Sequence, residues 1–181
     1  MKPLLVIGLG NPLMGDEGVG CHVADRLAAD PRLPEHVEVI SGGTDLLRYA
    51  DRMEGRGRVV IVDAIQDGAI LRPRQSGAGN PACRRLFSRR GLAPSNPSTA
   101  GGAAEPGTVA VFEDLDELDD RQGHAHHLSV VQAVKLLKLL TPARFTLIGI
   151  SIGSAEASSE LSPPLAARMP SILAAVFCGL Q

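Results

Sequence analysis

The segment Val6-Ile7-Gly8-Leu9-Gly10-Asn11-Pro12-Leu13-Met14-Gly15-Asp16-Glu17-Gly18-Val19-Gly20 constrains the fold more than any other part of this 181-residue chain. Leu4 to Ile7 is a compact apolar run with β-branched residues at its end, which reads as a buried strand. It gives way to a turn of Gly, Asn and Pro, and then to an apolar stripe at helical spacing, Val19, Val23 and Leu27. Strand, tight turn and helix open a parallel α/β unit. Asp16 is the candidate N-cap of a helix from about Glu17 to Ala29. Two adjacent carboxylates therefore stand at the mouth of the sheet, where open α/β folds bind ligands.

The same alternation runs along the chain. Val37 to Ile40 reads as a second strand, Ser41-Gly42-Gly43 as its turn, and Thr44 or Asp45 as the cap of a short helix carrying Leu46, Leu47 and Met53. Arg58 to Val62 is a third strand that ends at Asp63, and its Val-Val-Ile-Val run implies burial on both faces. Thr108 to Phe112 and Phe145 to Ile150 are further strands. Leu128 to Leu140 is an apolar helix with Gln132, Lys135 and Lys138 on its wet side, and Leu165 to Phe177 a closing helix. The expected architecture is a single α/β domain, a three-layer α/β/α sandwich. Leu71 to Ala104 interrupts it with six Arg, no acid, and many Gly, Pro and Ser. It reads as an insertion, either without an essential role or as a basic arm for an acidic partner. Glu113 to Asp120 has the opposite sign, with six acids in eight positions, as a solvated face does.

Composition excludes several functions. Aromatic residues are 3% of the chain, too few for base-stacking platforms, and the net charge of −2 argues against a polyanion binder, so no nucleic-acid partner is expected. No run approaches the ~18 apolar residues of a membrane span, and the short N-terminal strand lacks the features of a signal peptide. Cys21, Cys83 and Cys178 are odd in number and far apart. They form no metal knuckle and fit a reduced, cytoplasmic setting.

Glu17, Asp63 and His126 stand out as a set. Each follows or ends an element whose boundary faces one edge of a parallel sheet, so the three can converge there. Two carboxylates and an imidazole suit a borderline divalent ion such as nickel, zinc or manganese. Each also has a structural explanation. Glu17 complements a helix macrodipole, Asp63 suits a turn, and His126 sits in a His124-Ala125-His126-His127 tract where any imidazole is available. Other chemistries fail on the residues. Gly8-Leu9-Gly10 begins like a dinucleotide turn, but Leu13 stands where a third Gly belongs, and Asp16 and Glu17 repel pyrophosphate. No phosphate loop and no G-x-S-x-G elbow is present, and Cys21 reads as a buried structural thiol.

These motifs resemble the hydrogenase maturation endopeptidases. Gly10-Asn11-Pro12-Leu13-Met14-Gly15-Asp16-Glu17-Gly18-Val19-Gly20 looks like the family's first signature. Gly42-Gly43-Thr44-Asp45-Leu46-Leu47, then Val62-Asp63-Ala64 with the later Glu105-Pro106-Gly107-Thr108-Val109, then His126-His127-Leu128-Ser129, follow in family order. Ile148-Gly149-Ile150 and Leu161-Ser162-Pro163 resemble its closing motifs. The resemblance implies a five-stranded mixed sheet with one strand reversed, which we assign to the Thr108 strand. It implies removal of a short C-terminal peptide from the precursor of a nickel–iron hydrogenase large subunit after nickel insertion. Nickel carried by that precursor is then the recognition signal, and Glu17, Asp63 and His126 its ligands. Two chemistries are open: the metal polarises the scissile carbonyl and activates water, or it serves only for docking and Asp63 or Asp16 is the general base of an aspartyl-type reaction. Gly42, Gly43 and Thr44 are candidates for substrate binding. Two features depart from the family: the arginine-rich insertion, and the crowding of His124 and His127 around His126. Peptidyl-tRNA hydrolases also open with Gly-Leu-Gly-Asn-Pro, but acids stand here in place of their later motifs. A nickel-dependent checkpoint that binds the precursor without cutting it would use the same ligands.

Overall fold

A computed structural model describes residues 3–66, 105–113, 115, 129–153 and 155–180. The insertion from Leu71 to Ala104, most of the acidic run, and His124, His126 and His127 lie outside the described residues. Within them, five strands form one sheet: β1 (Leu4–Leu9), β2 (Val37–Gly43), β3 (Arg58–Gln66), β4 (Val109–Phe112) and β5 (Arg144–Ile152). The spatial order is β2-β1-β3-β5-β4. Strands β1, β2, β3 and β5 run parallel, and β4 pairs antiparallel with β5, so the strand after Thr108 is the reversed one, as expected.

Helices cover both faces. On one side, α1 (Val19–Ala28) and α4 (Pro163–Gly179) pack against the sheet; on the other lie the short α2 (Ala50–Met53) and α3 (Val130–Leu140). Strand alternation divides the core in two. Val60 and Val62 point toward Val19, Val23 and Leu27 of α1, and toward Leu165, Ile172 and Val176 of α4. Val59 and Ile61 point toward Met53, Val134 and Leu137. Residues Val59 to Val62 are fully buried on both faces, which is what a run of four β-branched residues implies. The three-layer α/β/α sandwich is the observed architecture.

Several boundaries differ from the sequence reading. Strand β2 continues through Ser41-Gly42-Gly43, because Gly43 still pairs with Leu9 after a register shift. Strand β3 does not end at Asp63: it runs on to Gln66 by pairing Asp63 with Gly149 and Gln66 with Ile152 of β5. Asp16 does not cap a helix through its side chain. A single 3-10 turn, Gly15–Gly18, comes first, and α1 begins only at Val19. Neither Thr44 nor Asp45 is a helix cap: the N-cap of the 3-10 turn before α2 is Leu46, and Asp45 Oδ1 accepts the Leu47 N–H at 3.0 Å from one residue earlier. Helix α3 starts two residues later than expected, at a capping box in which Ser129 and Gln132 satisfy each other's backbone N–H groups. Its solvent face carries Leu136, Leu139 and Leu140 beside Lys135 and Lys138, so it is more apolar than expected.

Candidate active site

Strand β1 is joined to β2 on one side and borders β3 on the other, so the chain reverses its direction of progress between β1 and β3. Crevices of parallel sheets open at such a point, beyond the carboxyl ends of the strands. Pairing between β1 and β3 stops at Gly8 with Val62. Asp63 is the next residue of β3, where its former neighbour turns away.

Glycines bring the first turn of α1 onto this point. A Cβ on Gly20 would lie 2.3 Å from both the Leu9 and Val62 carbonyl oxygens, and one on Gly8 would lie 2.0 Å from the Gly20 oxygen. Gly10 has φ +126°, and a Cβ there would meet the Glu17 carbonyl oxygen at 1.9 Å. The Gly-x-Gly turn is therefore a device for close backbone packing, and the cradled group is a helix start rather than a phosphate. The Gly15–Gly18 turn consequently touches β3, and Glu17 comes to the crevice beside Asp63.

The two adjacent acids have opposite fates. Glu17 is half-buried at the mouth, whereas Asp16 is 3% exposed and points inward. Asp16 Oδ1 accepts the Ser162 backbone N–H and Oδ2 accepts the Ser162 hydroxyl, both at 2.8 Å. Sequence reasoning missed this pairing. Ser162 stood out only as part of the Leu161-Ser162-Pro163 motif, and no local pattern joins residues so far apart in the chain.

Asp63 is the perturbed acid of the site. Its Oδ1 accepts the Ala64 N–H at 2.9 Å, which favours the ionised form. Desolvation outweighs that bond, the charge of Glu17 adds to it, and the carboxyl is pushed up to about 7. Burial, more than the charge of Glu17, raises it. Among the described residues no three acids, histidines or cysteines form a metal-binding group, and the His124 to His127 tract lies outside them. The neighbouring carboxylates of Glu17 and Asp63 are oxygen donors of the kind a divalent ion takes. Gly42, Gly43 and Thr44 lie at the same end of the sheet: the Gly43 carbonyl accepts the Gly10 N–H at 2.9 Å, and Thr44 is exposed. Cys21 is buried, its thiol directed at the Gly8 and Gly10 carbonyls at 3.5 and 3.4 Å, as a structural thiol would be.

No family model matches the chain. Over 182 residues, 98% of this chain and 90% of the relative, it is 24% identical to the Hydrogenase 2 maturation protease of Escherichia coli strain K12. It is also 35% identical over 65 residues to the Hydrogenase expression/formation protein HupD of Rhodobacter capsulatus, which covers 36% of this chain and 31% of that one. The chain is thus similar to a hydrogenase maturation protease over nearly its whole length. The fold agrees. The NiFe hydrogenase maturation protease HycI of Thermococcus kodakarensis KOD1 superposes with a TM-score of 0.67 at 20% identity, covering 97% of this chain and 90% of that one. The crevice between β1 and β3 is the candidate active site.

Proposed function

We propose that this protein is an endopeptidase that removes the C-terminal peptide of a nickel–iron hydrogenase large-subunit precursor once nickel has been inserted. The observation that carries the proposal is the convergence of Glu17 and Asp63 on one crevice, with Asp63 held near neutral titration by burial and by Glu17. Two carboxylates that repel each other form a poor resting arrangement and a good receptor for a divalent cation, which cancels the repulsion. The cation belongs to the substrate: nickel arrives in the precursor, and Glu17, Asp63 and the imidazole of His126 engage it. Harder and softer ions fit less well, because carboxylate oxygen combined with imidazole nitrogen is a borderline donor set.

The scissile bond then lies beside Asp63. A carboxyl titrating near neutrality is suited to take a proton from water during attack on a peptide carbonyl. Asp16 is less suited, because both its oxygens are engaged by Ser162. Gly42, Gly43 and Thr44 offer backbone groups and a hydroxyl at the same sheet edge for the extended tail of the precursor. Among the described residues no helix is long and apolar enough to cross a membrane. The cytoplasm, where the precursor is assembled, is the proposed place of action.

The test is to incubate the protein with the nickel-loaded precursor and with the metal-free precursor, and to weigh both products by mass spectrometry. Loss of a C-terminal fragment only from the loaded precursor, abolished by Glu17→Gln in a folded protein, is expected. A loaded precursor that stays intact while bound would instead make the protein a checkpoint.

A further inference from the structure

The structure places a second acid beside Glu17 for which the proposed reaction has no use. We infer that Asp16 is a positioning residue, and that its buried contact with Ser162 fixes Glu17 in the crevice. The inference rests on the reading of Glu17 as a group that engages the substrate's nickel.

The contact ties two remote loops together. Asp16 belongs to the 3-10 turn that carries Glu17, and Ser162 is the residue immediately before α4. Both carboxylate oxygens are used, one by the Ser162 N–H and one by its hydroxyl. Backbone bonds run beside them. The Gly15 N–H reaches the Ser158 carbonyl at 2.7 Å, the Ser158 N–H reaches the Leu13 carbonyl at 3.0 Å, and Met14 and Ser158 form a parallel bridge. Residues 13–16 are thus strapped to residues 158–162 by main chain and side chain alike.

Helix chemistry explains why an acid is needed there. Ser162 occupies the N-cap position of α4, yet its hydroxyl makes no capping bond. Pro163 and Pro164 carry no N–H at the first two helical positions, so the Ser162 oxygen has no donor to accept from there, and its O–H is directed to Asp16 instead. Asp16 receives it together with the Ser162 N–H, and its negative charge complements the positive end of the helix. A charge-assisted bond is roughly twice as strong as a neutral one and is directional. Because Glu17 is the adjacent residue, any rotation of the Asp16 peptide moves the Glu17 carboxylate relative to Asp63. A clamp of this kind speeds catalysis by orientation rather than by touching the reacting atoms.

Processing of the nickel-loaded precursor should be followed in variants checked for fold and melting temperature, with maximal rate and half-saturating precursor concentration determined separately. Asp16→Asn places an amide where two donors converge, and Ser162→Ala removes one donor. Each is expected to lower the maximal rate at least tenfold while changing the half-saturating concentration less than threefold. Ser162→Thr keeps the hydroxyl and should stay within twofold of the parent. The double variant should be no slower than Asp16→Asn alone. If Asp16→Asn fails to fold, the Ser162 pair carries the test. A parental rate in Ser162→Ala, with Glu17→Gln inactive, would overturn the clamp alone, and would mark Asp16 as the base if Asp16→Asn were dead. Loss in Ser162→Thr equal to that in Ser162→Ala would also overturn it. Normal processing by Glu17→Gln would overturn the nickel reading of Glu17, and the clamp with it.

Discussion

Asp63 holds a proton to about pH 7 because burial and the nearby Glu17 both oppose its charge. The unfolded chain releases that proton near the ordinary carboxylate value of ~4. Between those two values the native state binds more protons than the unfolded state, so stability falls as pH rises through this window and stays lowered above it. Asp63→Asn removes the charge and keeps an oxygen for the Ala64 N–H. It is expected to raise the stability of the metal-free protein at pH 8 by roughly 2–4 kcal/mol, with the gain shrinking toward pH 5. Denaturant unfolding at the two pH values checks this, and an equal effect at both would contradict the assigned cause. The same proton competes with a cation, so binding of nickel to the crevice should weaken as pH falls below 7. Residue chemistry was partly legible beforehand. The approach of Glu17 to Asp63 followed from their placement at one sheet edge. Their choice of which acid is raised did not, because burial depends on packing that a sequence does not display. The engagement of Asp16 by Ser162 was hidden for the same reason.

Elements place these residues through close backbone contact. Helix α1 approaches β1 and β3 only because Gly8 and Gly20 lack side chains, and the approach aims the Gly15–Gly18 turn at Asp63. Gly20→Ala forces a methyl group between two carbonyl oxygens that cannot withdraw without breaking strand geometry. We expect a loss of about 1–3 kcal/mol or more, together with reduced processing, because α1 must shift and carry Glu17 with it. Thermal unfolding measures the first and precursor cleavage the second. Unchanged values of both would mean that the packing is looser than described. The order and type of the elements were read from the sequence because period and apolarity are local. Boundaries failed where pairing overrode them. Ser41-Gly42-Gly43 looked like a turn by composition but remains in β2 through its contact with β1, and β3 outruns Asp63 because β5 continues beside it.

At the scale of the molecule, the insertion joins two points on either side of β5. Strand β3 ends with Gln66 paired to Ile152, and the Gly107 N–H reaches the Ser151 carbonyl on the other side. Two strand spacings are roughly 10 Å, which four extended residues can bridge at roughly 3.3 Å each. Deleting Leu71 to Ala104 leaves residues 67–70 for that span. The shortened protein is expected to fold with an unchanged or higher melting temperature, since a shorter loop costs less entropy to close. An insoluble product would show that the segment supports the fold. The sandwich was legible in the sequence because its elements alternate, and the reversed strand through the ordered motifs of the resemblance, which imply it. The account stands or falls on whether Glu17 and Asp63 grip one ion. Crystals grown with nickel and measured at the nickel absorption edge should show an anomalous peak within bonding distance of the Glu17 and Asp63 carboxylates, with an imidazole of the His124 to His127 tract as a further ligand. A peak bound elsewhere on the protein, with those two carboxylates left without metal, would contradict it.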